Sequence, residues 1–151
     1  MKLEQAIQST KFKNEVQKAS LNVLYTAWWL KSLVSKELKE FGLTHEQYNV
    51  LRILKGKYPD KMCVRDIAQR MIEQNSNVPR IINRLEIKKL VKRSTSLEDK
   101  RETVITLTQA GIVILESSTV VLEVVYLNQI AISELEASTL TSLLEKVREK
   151  Q

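Results

Sequence analysis

From Phe12 to Phe41 apolar residues recur every three or four positions, at Val16, Ala19, Val23, Ala27, Leu30 and Val34. That spacing predicts one long helix with an apolar stripe. Leu24 and Trp28 form a second i, i+4 pair off the stripe. A helix with two apolar faces needs two partners, which points to a second subunit. Gly42 is a stop signal for this helix. Thr44-His45-Glu46-Gln47 then reads as a capping box opening a second helix, with Tyr48, Leu51 and Leu54 facing inward. It should end near Gly56, ahead of the Tyr58-Pro59-Asp60 turn.

Further on, Val64, Ile67, Ala68 and Met71 predict a short helix, broken at Asn75-Ser76-Asn77. The next helix carries Val78, Ile81, Ile82, Leu85 and Lys89 on one side and Ser76, Arg80, Asn83, Arg84 and Ile87 on the other. Pro79 is tolerated only in a first turn, so the helix starts near Ser76 or Asn77. The residues 91–95 and 103–107 alternate and are β-branched, the pattern of two short strands joined by a highly charged segment. Thr108 caps a further helix, expected to be buried on most of its surface. Ser133-Glu134-Leu135-Glu136 is another capping box, and Leu135, Leu140, Leu143, Leu144 and Val147 line one side of a terminal helix. The resulting fold class is mainly α with a small β-hairpin: a helix-turn-helix followed by a two-stranded wing, flanked by helices at both ends.

Composition narrows the function. With three glycines and two prolines in 151 residues, long helices are favoured over a turn-rich β fold. The net charge of +6 is uneven: residues 61–107 carry 11 basic and 6 acidic groups, while residues 108–151 carry 3 and 6. The excess therefore lies on the helix-turn-helix and hairpin, where a phosphate backbone could be met. The start, MKLEQAIQSTKFK, has no apolar signal segment, and the apolar run 112–132 is interrupted by Glu116, Glu123, Asn128 and Gln129. A cytoplasmic protein without a membrane span is expected. Cys63 is the single cysteine, so no intramolecular disulfide can form, and its apolar neighbours Met62 and Val64 suggest an inert thiol. His45 has no sequence companions for a metal. No phosphate loop, nucleophile motif or carboxylate cluster marks an enzyme, and no cofactor or metal is expected.

These residues resemble the MarR-type (multiple antibiotic resistance regulator) transcription factors. The resemblance is carried by Asp66-Ile67-Ala68-Gln69-Arg70-Met71, by Val78 to Leu85 leading into Leu90-Val91, by Asp99-Lys100-Arg101 and by Leu107-Thr108-Gln109-Ala110-Gly111. The Asp99-Lys100-Arg101 run matches the family's D-x-R wing signature. The resemblance implies one domain over residues 1–151. Its winged helix-turn-helix lobe would span residues 43–107, with helical dimerisation regions at 1–42 and 108–151. The homodimer would bind a palindromic double-stranded operator, most often as a repressor. Lys89 stands where the family commonly has a glycine, so the turn there is open to change. Pro79 is a second departure.

Under that resemblance the recognition helix offers Ser76, Asn77, Arg80 and Asn83 to base edges and Arg84 and Lys88 to phosphates. On the wing, Asp99 would pair with Arg101 while Arg101 or Lys100 enters the minor groove, with Lys92 and Arg93 at the backbone. Each polar residue could instead be an ordinary solvated surface group, Lys92 and Arg93 above all. Ile87 would touch a thymine methyl or merely be exposed. Trp28, Trp29 and Tyr48 are candidates for a pocket holding a small aromatic effector, against the plainer reading that they are core. A different class of function also fits: a winged-helix module that binds protein and does not read DNA.

Overall fold

The computed structural model describes residues 1–96 and 100–149. Its elements are α1 (Leu3–Ala6), α2 (Glu15–Glu40), α3 (His45–Lys55), β1 (Met62–Cys63), α4 (Val64–Gln69), α5 (Val78–Ile87), β2 (Val91–Thr95), β3 (Thr103–Leu107), α6 (Gln109–Gln129) and α7 (Glu134–Arg148). The strands form one antiparallel sheet in the order β1-β3-β2. Val91 pairs with Leu107 and Thr95 with Thr103, while Met62 and Cys63 pair with Ile105 and Val104. The chain divides into two compact units, Met1–Thr119 and Val120–Gln151.

Local chemistry explains the boundaries. Asn14 opens α2 by accepting the Gln17 N–H, so the helix begins at Glu15, later than the Phe12 start expected from sequence. At its other end Gly42 takes φ +64, and the Gly42 and Leu43 N–H groups donate to the Lys39 and Leu38 carbonyls at 2.9 and 3.0 Å. This is the left-handed termination that glycine permits at no steric cost. The Thr44 and Ser133 capping boxes form as the sequence predicts, each hydroxyl accepting an N–H in the first turn.

The core lies in the first unit. Leu51, Leu54, Ile67, Met71, Ile82, Leu85 and Ile105 are at most 2% exposed, and they join α3, α4 and α5 to the sheet. Each such side chain contributes about 1.5–3 kcal/mol by leaving water. Two elements escape the sequence reading: α1 is too short for a periodic signal, and β1 adds a third strand to the expected pair.

The expectation for α6 needs correction. Its start is buried through Ile112 and Leu115, but Val113, Val120, Val124 and Leu127 are more than half exposed. The helix is apolar on several sides, with a mean hydropathy of 1.8 over an 18-residue window, long enough by composition to cross a membrane. Among the described residues those sides have too few partners to be buried. Glu116 on the same helix pairs with Lys55 of α3 at 2.9 Å.

Candidate nucleic-acid interface

Helix α5 is two-sided. Val78, Ile82 and Leu85 are buried, while Arg80, Asn83, Arg84 and Ile87 are exposed on its other face, Ile87 by 80%. Pro79 falls in the first turn, where its missing N–H is harmless. Asn77 is the cap, with Oδ1 accepting the Arg80 N–H at 3.2 Å. That bond uses one of the two lone pairs on the amide oxygen and fixes the amide's orientation. Ser76 is half-buried, and its hydroxyl has no hydrogen-bond partner among the described residues. Below this helix start lies an open cavity of about 330 Å³, lined in part by Glu46, Glu73, Ser76, Asn77, Arg80 and Arg84.

The segment before α5 is fastened rather than loose. Asn49 of α3 accepts the Ile72 N–H at 3.1 Å, and Gln74 donates to the Met71 carbonyl at 2.8 Å. Lys31 reaches across from α2 to Glu73 at 2.5 Å and Glu46 at 3.4 Å. The hydrogen bond to Glu73 holds the Lys31 ammonium above its ordinary pKa. Partial burial pushes the Glu46 carboxyl up, but its own backbone N–H, Thr44 and Lys31 outweigh this and hold it below its ordinary value. His45, Glu46 and Glu73 bring three ligand atoms within 4.8 Å of one another, so the fold supplies His45 with companions that are distant in sequence. The Lys31 ammonium pairs with both carboxylates there and offsets one of their two negative charges.

The turn after α5 depends on Lys89, which adopts φ +59 although it is not glycine. Its N–H donates to the Glu86 carbonyl at 2.8 Å, and the Leu90 N–H to the Leu85 carbonyl at 3.0 Å. A left-handed turn of the kind glycine favours thus forms at a lysine. The Thr108 hydroxyl contacts the Lys89 and Leu90 carbonyls at 2.8 and 2.9 Å, fastening the turn to the start of α6. Gly111 packs there so closely that a Cβ would lie 2.1 Å from the Leu90 carbonyl oxygen.

Other predicted contacts fall in different settings. Lys88 turns inward, donating to the Gly42 carbonyl and, at 2.9 Å, to Gln47 Oε1. Arg93 binds back onto α5, with Nε 3.2 Å from Glu86 Oε2 and Nη2 donating to Asn83 Oδ1. Lys92, Lys100 and Arg101 are exposed on the wing. Asp99, and with it the predicted Asp99–Arg101 pair, lies outside the described residues. The structure therefore brings Arg80, Asn83, Arg84 and Arg93 together on or against one helix. Of the groups that orient the two inward-turned cations, Glu86 was not singled out from sequence and Gln47 was read only as part of a capping box.

The aromatic candidates are not gathered. Trp28 is 61% exposed, its ring 5.5 Å from Tyr25. Trp29 lines a cavity of about 330 Å³ with Met1, Leu3, Asn22, Tyr25 and Thr26. Tyr48 is buried, with its hydroxyl 2.9 Å from Thr119 Oγ1. Cys63 is also buried; its sulfur accepts the Asp66 N–H at the start of α4, and burial pushes the thiol pKa up. This favours the unreactive protonated form.

The family model of the SarA/Rot transcriptional regulators matches residues 32–118. No curated protein matches in sequence. Among solved structures, the S. aureus MepR–DNA complex is similar at 26% identity and TM-score 0.78, covering 87% of this chain and 97% of that one. A MarR transcription factor from Planctomyces limnophilus is similar at 28% identity and TM-score 0.69, covering 91% of this chain and 98% of that one. CouR from Rhodococcus jostii RHA1, bound to p-coumaroyl-CoA, shares the fold at 18% identity and TM-score 0.76, with 93% and 98% covered.

Proposed function

The chain belongs to the SarA/Rot family of transcriptional regulators, and we propose that it is a sequence-specific double-stranded DNA-binding repressor acting as a homodimer in the cytoplasm. The observation that carries this reading is the polarity of α5: an apolar side locked into the core and an opposite side that exposes Arg80, Asn83 and Arg84. A helix of this width fits the major groove, where each base pair shows its own donor and acceptor pattern. Arg80 suits guanine, Arg84 a phosphate, and the exposed wing cations Lys92, Lys100 and Arg101 an adjacent backbone or minor groove. Similarity to MepR, solved with DNA bound, supports the same mode of use. Dimerisation would bring together the exposed apolar sides of the flanking helices and set two recognition helices one duplex turn apart.

Ligand control belongs to the same proposal. The cavity beside Trp29 is within the size range of small-molecule sites, with Tyr25, Trp29, Met1 and Leu3 as apolar walls and Asn22 and Thr26 as polar groups. A small aromatic effector held there would release DNA by favouring a dimer geometry that binds it poorly.

The test is a mobility-shift titration with duplex DNA from upstream of the chain's own gene. Retarded complexes should form at low salt and weaken as salt rises, with a slope of about 0.9 per neutralised phosphate. Arg80→Ala should weaken binding about tenfold or more and relax preference at one base pair in each half-site. Arg101→Ala should weaken binding with the dimer intact. A folded dimer that binds no duplex at low salt would refute the reading and favour a protein-binding module.

A further inference from the structure

Arg93 has the position and the charge of a phosphate contact, yet its guanidinium faces the chain's own recognition helix. Asn83 and Glu86 are three residues apart on α5 and so share one side of it. Arg93 shares its face of β2 with the buried Val91 two residues earlier, and it reaches both α5 residues at once. Its Nε lies 3.2 Å from Glu86 Oε2, and its Nη2 donates to Asn83 Oδ1. The fork of the guanidinium makes this possible, because its donors diverge in one plane.

The consequence falls on Asn83. A primary amide can present its oxygen and its NH₂ group in either of two orientations related by a half-turn. Arginine has donors only, so the atom that meets Arg93 must be the amide oxygen. The Asn83 NH₂ group is thereby directed away from the strand. An amide held in one orientation offers a fixed order of acceptor and donor to a base edge, whereas one free to turn offers both orders and discriminates less. The Glu86 carboxylate holds Arg93 in place and is itself neutralised, which also reduces its repulsion of nearby phosphates.

From this geometry we infer that Arg93 is a positioning residue that sets the base preference of Asn83 instead of contacting the DNA backbone. The inference rests on the DNA-reading proposal and adds to it a coupling between wing strand and recognition helix. It makes the wing a determinant of what α5 reads.

The experiment begins by selecting duplexes with the wild-type chain from a pool randomised over about 20 base pairs, the span of two half-sites one turn apart. The selected duplex is then substituted one base pair at a time. Affinities are measured for wild type, Arg93→Ala, Arg93→Lys, Asn83→Ala and the double Arg93→Ala/Asn83→Ala variant. Asn83→Ala should reduce discrimination at one base pair per half-site from about tenfold to about twofold. Arg93→Ala should flatten the same base pair, and the double variant should go no further. Arg93→Lys retains the charge but not the planar fork, so it too should flatten that position while leaving the salt slope unchanged. It carries the comparison if the alanine variant folds poorly. Two results would overturn the inference: a uniform loss of affinity on every duplex with a salt slope lower by about 1, or an unaltered preference profile in the Arg93 variants. A wild-type chain that selects no sequence would instead overturn the DNA-reading proposal itself.

Discussion

The winged lobe and the flanking helices use the same apolar residue types to opposite ends. In the lobe Ile82, Leu85 and Ile105 are fully buried, because three helices and a sheet converge on them. In the flanks Val16 is 76% exposed, Leu127 83% and Leu135 79%, although each lies on an apolar helix side. Composition cannot account for the contrast, since leucine, isoleucine and valine make up most of the apolar residues in both. The number of partners the chain itself provides does account for it. The lobe closes its own core, whereas the flanks present long apolar strips of the kind that mark a protein interface. Stability of the lobe and assembly of the proposed dimer should therefore be separable.

The largest effect tests the lobe. Leu85→Ala removes a fully buried side chain at the junction of α5 and the core, and should lower unfolding free energy by about 2–5 kcal/mol in urea titrations. A loss below about 1 kcal/mol would mean that this core is less tightly packed than the geometry indicates. Next comes the flank. Leu127→Asp or Leu135→Asp costs a single chain little, since both positions already face water. In a dimer burying them, an unpaired carboxylate should raise the dissociation constant by about a hundredfold or more, read by analytical ultracentrifugation. Far-UV circular dichroism should keep the helical signal of the lobe. Variants that stay dimeric at micromolar concentration would show that these strips are not the interface.

The contrast also explains how much could be read from sequence. Helices α3 and α5 and strands β2 and β3 were legible because capping residues, Pro79 and alternating β-branched residues act locally. The extent of α6 burial was not legible, because hydropathy cannot tell a partner in the same chain from one in another. Inward-turning Lys88 and Arg93 were equally hidden: a cation in a sequence looks the same whether it meets phosphate, a helix-ending carbonyl or Glu86. For the proposed interface, the outward row of α5 could be drawn from helical spacing, whereas the bonds that orient it depend on contacts 7 to 46 residues apart. Lys89 shows a tertiary contact prevailing over local preference. Its left-handed backbone is disfavoured for any residue with a Cβ, yet Thr108 fastens the turn from outside. Lys89→Gly should accordingly stabilise the lobe by about 1 kcal/mol in the same urea titration, leaving the dimer unchanged. A destabilised variant would mean that the lysine side chain makes a contribution larger than its backbone strain.

The smallest effect lies where α2 meets the helix-turn-helix. Lys31 links Glu46 and Glu73, but its side chain is 45% exposed, so solvent screens the cluster. Lys31→Met should cost about 0.5–1 kcal/mol at neutral pH. The pH dependence has a defined sign. Lys31 has a raised folded-state pKa, so its contribution is complete below its ordinary value of 10.5 and fades as pH climbs past it. Glu46 has a lowered folded-state pKa, so its contribution is complete above its ordinary value of 4.5 and fades as pH falls through the folded value. The stability gap between wild type and Lys31→Met should thus stay level from about pH 5 to pH 10 and narrow outside that window, as read from urea midpoints across the range. A gap that widens below pH 4 would remove the ion pairs as its cause and leave lost packing of the lysine stem as the alternative.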